Sequence, residues 1–89
     1  MMELYMVKAK PYTQVPGFYH ERFTIAIMCN ESMNLHWQDE HSDMSYMGQL
    51  YPQELLEENV ADYLIAKNDR NELVKIRLDL IRNMPSPMK

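Results

Sequence analysis

The chain of 89 residues contains only two glycines, Gly17 and Gly48. Phosphate-binding loops need several closely spaced glycines, because the backbone has to approach the phosphates without side chains in the way. An EF-hand is also excluded, since no glycine stands at the sixth position counted from Asp39 or from Asp43. The sequence therefore excludes the nucleotide-binding and calcium-binding proteins that depend on such loops.

Cysteine is equally scarce, and Cys29 is the only one. A single thiol cannot form an internal disulfide, so we expect a reducing, cytoplasmic location. The first residues lack the basic segment and apolar core of a secretory signal. No apolar run approaches the length of a membrane span, and we expect no membrane association.

The charge balance is mild, with a net charge of −4. Such a value speaks against broad binding to nucleic acid or to acidic membranes, and it is too small for a mimic of DNA. The hydrophobic fraction of 46% and the charged fraction of 25% are ordinary for a globular protein. The length predicts one domain over residues 1–84, followed by a frayed tail at residues 85–89.

The strongest pattern is helical and lies in the last third of the chain. Pro52 suits the first position of a helix, and several glutamates follow it. Apolar residues then recur with helical spacing at Leu56, Val60, Tyr63 and Leu64. The polar run at residues 67–71 predicts a turn, and Asp69 is the expected N-cap of a second helix that ends near residue 83. A single continuous helix is the alternative, although it would place polar side chains on the apolar stripe.

Three segments upstream alternate between apolar and polar residues, as half-buried strands do. They are residues 4–10, 22–29 and 35–38. Cys29 would then be buried and inert on the apolar face of the second strand. The predicted fold class is α+β: a small antiparallel sheet of two to three strands packed against a C-terminal helical hairpin.

Tyrosine and methionine are unusually frequent for a chain of this length, with six and nine copies. Both are typical of protein interfaces, and several stand where loops are predicted. An acidic stretch beside them would select a basic partner surface. The predicted protein-binding residues are Tyr12, Phe18, Tyr19, Asp39, Glu40, Asp43, Met44, Tyr46, Met47 and Tyr51.

These features favour a small non-enzymatic binding module, such as an inhibitor or adaptor, of a kind that viruses and mobile elements encode. Its partner would be another protein or a second copy in a homodimer. We expect no catalytic residues and no cofactor. The first alternative is a dimeric regulator that contacts nucleic acid through its second helix, using Arg70, Lys75, Arg77 and Arg82. The second is a metal-dependent enzyme with ligands among His36, His41, Asp39 and Asp43.

Overall fold

The computed structural model describes residues 11–84, which form one helix followed by an antiparallel sheet. The four strands lie side by side in the order of the sequence. The elements are α1 (Phe18–Cys29), β1 (Met33–Gln38), β2 (Ser45–Glu58), β3 (Ala61–Lys67), β4 (Leu73–Arg77) and a 3₁₀ turn (Leu78–Leu80). The predicted strand at residues 4–10 and the predicted tail at residues 85–89 lie outside the described residues.

Helix α1 occupies the segment for which the sequence pattern predicted the second strand, and that prediction is wrong. The helix ends at Asn30, which adopts a left-handed conformation with φ of 55°. The amide of Glu31 then donates to the carbonyl of Ala26 at 2.9 Å, as in a Schellman motif. Phe23 and Ala26, three residues apart, are buried. Cys29, predicted to be buried, is exposed at the end of the helix.

Strand β2 is long and bent, and it joins the two halves of the sheet. Residues 45–50 pair with β1, whereas residues 51–58 pair with β3. The register shifts between Pro52 and Glu54, so Gln53 bulges out at the bend. Proline has no amide hydrogen for a strand ladder and is tolerated at such irregular positions. Pro52 therefore marks a bend in a strand, and the prediction that it begins a helix is wrong.

The predicted C-terminal helical hairpin is absent, since residues 52–77 belong to β2, β3 and β4. The α+β class is confirmed, but the sheet has four strands and the helix precedes them. The predicted polar turn is real and joins β3 to β4. Its central residue is Asn68, whose Oδ1 accepts the amides of Arg70 and Glu72, both at 2.9 Å. The prediction that Asp69 caps a second helix is wrong, because a strand follows the turn and the side-chain oxygen of Asn68 accepts these amides.

After the 3₁₀ turn the chain returns to the outer edge of β1. Ile81 forms an antiparallel bridge with Trp37, and the amide of Arg82 donates to the carbonyl of His36 at 2.7 Å. The bent sheet is therefore nearly closed around a core to which every element contributes. This core comprises Phe23, Ala26, Met33, Leu35, Leu50, Leu64, Ala66, Ile76, Leu78 and Ile81. Among residues 11–84, no helix is long and apolar enough to cross a membrane.

Candidate protein-binding groove

An open groove of about 630 Å³ lies at the mouth of the bent sheet. One wall is the β1–β2 hairpin, and the other is formed by the β3–β4 turn and the first residues of β4. Its floor is apolar, because Leu50 and the half-buried Val74 belong to the inner face of the sheet. The groove is thus an open continuation of the hydrophobic core. A volume of this size is typical of ligand-binding sites in proteins, and the lining combines this apolar floor with polar and charged residues of the turns.

The aromatic wall of the groove follows from strand register. Trp37 is two residues beyond the buried Leu35 on β1, so both side chains lie on the inner face. Tyr46 is the cross-strand partner of Trp37, and their ring centroids are 5.7 Å apart. Because neighbouring side chains hold both rings, this wall presents a large apolar surface that needs little further ordering when a partner binds.

Gly48 creates the opening beside this wall. It pairs with Leu35 across the sheet and lies two residues beyond Tyr46, so a side chain here would point into the groove. A Cβ atom at Gly48 would meet no atom within 4 Å, and its backbone does not have a positive φ. The fold therefore does not require glycine at this position, whereas the open groove does.

The predicted interface residues around the groove are exposed, as an interface requires. Tyr46 and Met47 both line it, and 72% of the surface of Met47 is accessible. Met44 precedes β2 and is also exposed, whereas Tyr51 lines a second depression on the other side of the β3–β4 turn. The long loop predicted for residues 39–50 is shorter than expected, since Ser45 already begins β2.

The predicted acidic stretch does not form one free surface. The carboxylate of Asp39 accepts the amide of His41 at 2.9 Å and the hydroxyl of Ser42 at 3.1 Å. It therefore shapes the turn between β1 and β2. Glu40 is turned inward and accepts the hydroxyl of Tyr63 at 2.7 Å. Asp43 is exposed.

The aromatic residues predicted before the second strand lie elsewhere. Phe18 and Tyr19 open helix α1, with ring centroids 5.1 Å apart, and Tyr19 packs against the core. The ring of Tyr12 lies 5.7 Å from the guanidinium carbon of Arg77, and its hydroxyl is 3.5 Å from a carboxylate oxygen of Asp62. Among the residues that line the groove, none comes from this segment.

A buried ionic cluster fastens the segment before α1 to the sheet. Arg77, 4% exposed, binds Asp79 with two hydrogen bonds of 2.7 and 3.1 Å. It also donates to the carbonyl of Pro11 at 3.1 Å and faces Glu40 at 3.5 Å. Burial raises the pKa of Tyr63 to about 12, and its hydrogen bond to Glu40 adds to the effect. This cluster has a structural role, because a buried charge without its partners would be strongly destabilising.

The residues predicted to contact nucleic acid do not form one exposed basic face, although Lys75 and Arg77 both belong to β4. Arg77 is buried, and the ammonium group of Lys75 binds Glu58 and lies 4.6 Å from the centroid of the Tyr63 ring. Arg70 belongs to the β3–β4 turn, and Arg82 follows the 3₁₀ turn. The basic second helix on which this alternative depended is absent.

The predicted metal ligands also remain apart. His36 pairs with Met47 within the sheet, whereas His41 lies in the turn after β1. Within the part of the chain that the structure describes, no three His, Cys, Asp or Glu side chains are grouped to hold a metal ion.

Of the residues predicted to bind a protein, Asp39, Tyr46 and Met47 line the groove, but the sequence analysis did not predict the groove itself. The apolar residues Trp37, Leu50 and Val74 and the opening at Gly48 were not among the predicted binding residues. A signal was present, since Tyr46, Gly48 and Leu50 alternate along β2 in the same way as Leu35 and Trp37 along β1. No protein-family model, curated protein or solved structure matches the chain. The groove is therefore interpreted from its own geometry.

Proposed function

We propose that this chain is a non-enzymatic protein-binding module, of the inhibitor or adaptor kind, that receives an apolar segment of another protein molecule. The observation that supports this proposal is the groove, which continues the core to the surface between an aromatic wall and an edge strand. A cytoplasmic location is part of the proposal, because the only cysteine, Cys29, is exposed and unpaired.

The chemistry of the groove suits a protein partner. Tryptophan and tyrosine dominate binding energy at protein interfaces, and Trp37 and Tyr46 stand together here. Methionine adapts its shape to a partner, and Met47 lies at the rim. An apolar side chain entering beside Gly48 would cover the half-buried Val74 and the exposed ring of Tyr46, which provides the hydrophobic driving force.

Among the described residues, two of the four charged groups that line the groove already interact with other residues of the chain. Asp39 is held by the turn that it shapes, and Lys75 is held by Glu58 and Tyr63. A general acid or base must be free to exchange a proton with a bound substrate. We propose a site without catalysis, in which Asp39 and Lys75 fix the walls and the exposed Asp69 and Arg70 face the partner.

The test fills the groove and leaves the fold unchanged. Gly48→Leu adds a side chain where a Cβ meets no atom within 4 Å, and Gly17→Leu makes the same change at an equally open position outside the groove. Each protein is immobilised and exposed to extract of the native host, once with and once without nuclease treatment. We expect a stoichiometric protein that binds the unmodified chain and Gly17→Leu, and whose binding falls at least tenfold with Gly48→Leu.

Two results would contradict the proposal. One is equal retention of the same protein by Gly48→Leu and Gly17→Leu, which would place the interface elsewhere. The other is recovery that disappears with nuclease, which would indicate nucleic acid as the partner. Circular dichroism and thermal melting establish beforehand that both variants are folded.

A further inference from the structure

The turn between β2 and β3 carries an apolar side chain in an unfavourable conformation. Glu58 pairs with Ala61, so the connection consists of Asn59 and Val60 alone. Both residues have a positive φ, 53° and 58° respectively, as in a type I′ turn. Val60 is 83% exposed, the highest value among the large apolar residues of the described chain.

The fold itself gives no reason for valine at this position. A β-branched side chain with a positive φ clashes with its own backbone, and glycine is strongly preferred there. Val60 also exposes its methyl groups to water without packing on the core. A strained residue of this kind persists where another requirement outweighs the strain, and contact with a second molecule would be such a requirement.

The groove and this hairpin tip are at opposite ends of the same strand. Gly48 pairs with β1 in the first half of the strand, whereas the tip lies beyond the bend, where β2 pairs with β3. These strand pairings hold both features in place. A chain therefore cannot place its own tip in its own groove, but a second copy can.

The charges near the two features limit how they can meet. Glu57 precedes the tip and is exposed, and its cross-strand neighbour Asp62 is also acidic. At the groove, Asp69 and Arg70 are both exposed on the β3–β4 turn, so this wall carries both signs of charge. A tip that enters with the carboxylate of Glu57 towards Arg70 and away from Asp69 would have a defined orientation, because opposite charges attract and like charges repel as two surfaces meet.

We propose that the groove receives the β2–β3 hairpin tip of a second copy of this chain, with Val60 beside Gly48. The inference rests on the proposed function of the groove and names its occupant. Because the two surfaces are different patches of the molecule, the contact is head-to-tail and leaves a free tip and a free groove. Copies therefore add one after another into open chains or closed rings.

Sedimentation velocity over a range of concentrations tests the assembly. We expect the mean mass of the unmodified protein to rise with concentration, and Gly17→Leu to behave in the same way. Val60→Gly removes the tip and Gly48→Leu fills the groove, and each should remain monomeric. Val60→Gly should also raise the melting temperature by roughly 5 °C, because glycine relieves the strained φ. Loss of assembly together with a gain of stability is not expected from damage to the fold.

Mixing the two variants provides the decisive measurement. The Gly48→Leu protein has an intact tip, and the Val60→Gly protein has an intact groove, so one of each should combine and growth should stop at two chains. Failure of this mixture to form a two-chain species would overturn the proposal. Association of either variant alone, to the extent of the unmodified protein, would also overturn it.

The outcome can be separated from that of the proposed function. A monomeric unmodified protein that still captures a different protein through Gly48 would overturn self-association and leave the binding role of the groove in place. Assembly that is insensitive to Gly48→Leu would overturn the tip-in-groove contact, while the capture comparison would still decide whether the groove binds another protein.

Discussion

Tyr63 shows how a single residue connects burial with charge. It is 6% exposed, its hydroxyl donates to Glu40, and its cross-strand partner is Arg77. The neutral phenol suits this environment, because an ionised oxygen would lose its hydration and face the carboxylate of Glu40. The pKa of Tyr63 therefore rises from 10.0 to about 12.

This shift predicts a loss of stability in alkali. Since the folded pKa lies above the unfolded value, the stabilisation is complete below pH 10 and is lost as the pH rises from 10 to 12. Two pKa units correspond to roughly 3 kcal/mol of unfolding free energy. Urea unfolding between pH 8 and 12 should show this decline in the unmodified protein, and Tyr63→Phe should flatten it.

The Tyr63→Phe curve should retain a smaller decline, because burial and the nearby Asp62 also raise the pKa of Tyr12. At neutral pH the variant should lose ~1 kcal/mol with the hydrogen bond to Glu40. If the unfolding free energies of the two proteins fall in parallel over the alkaline range, the loss of stability does not come from the ionisation of Tyr63.

At the scale of elements, the β3–β4 turn depends on one side chain. Asn68 accepts two backbone amides and donates its own side-chain amide to Glu72 at 2.9 Å. Asn68→Ala should therefore reduce the unfolding free energy by about 1–2 kcal/mol. Asn71→Gly is the matched control, because Asn71 has a φ of 66° that glycine adopts without strain. Equal unfolding free energies of the two variants, measured by urea unfolding, would contradict the role of Asn68 in the turn.

The β3–β4 turn was predicted correctly from the sequence, whereas the β2–β3 turn was not. Polar residues at 67–71 marked the connection correctly, because asparagine and aspartate favour turns in either context. The other hairpin was hidden, since its tip reads Asn59-Val60 where a turn signal would read Asn-Gly. Without that signal, the sequence analysis interpreted one set of apolar residues as the buried face of a helix: Leu56, Val60, Tyr63 and Leu64. They in fact belong to two strands and the turn between them.

Helix α1 was missed for a related reason. Its apolar residues alternate at Phe23, Ile25 and Ile27, which resembles a strand, yet only Phe23 of these is buried. The informative feature was Asn30, whose left-handed conformation ends the helix. An asparagine in the sequence alone does not distinguish the end of a helix from a turn. Tyr46 and Met47 on β2 are exposed, as an interface requires, and their role in binding stays a prediction. The groove depends on long-range pairing of β1 with β2, which local patterns do not contain.

At the scale of the whole molecule, the return of the chain to β1 completes the barrel-like closure of the sheet. Asn83 takes the place of a strand neighbour: its Oδ1 accepts the amide of His36 and its Nδ2 donates to the carbonyl of Asn34, both at 2.9 Å. Together with the bridge from Ile81 to Trp37, these bonds cover the outer edge of β1. They also fix the strand that carries the aromatic wall of the groove.

Asn83→Ala should therefore loosen this edge without disturbing the core. We expect the unfolding free energy to fall by about 1 kcal/mol and the amide of His36 to exchange its hydrogen faster. Arg82→Ala is the comparison, because it removes the hydrogen bond from the guanidinium to Gln38 at the end of β1, while the backbone amide of residue 82 still donates to the carbonyl of His36. Hydrogen exchange followed by NMR distinguishes the variants residue by residue. Unchanged protection of His36 in Asn83→Ala would show that the 3₁₀ turn and Ile81 close the sheet alone, and that the groove wall does not depend on this asparagine.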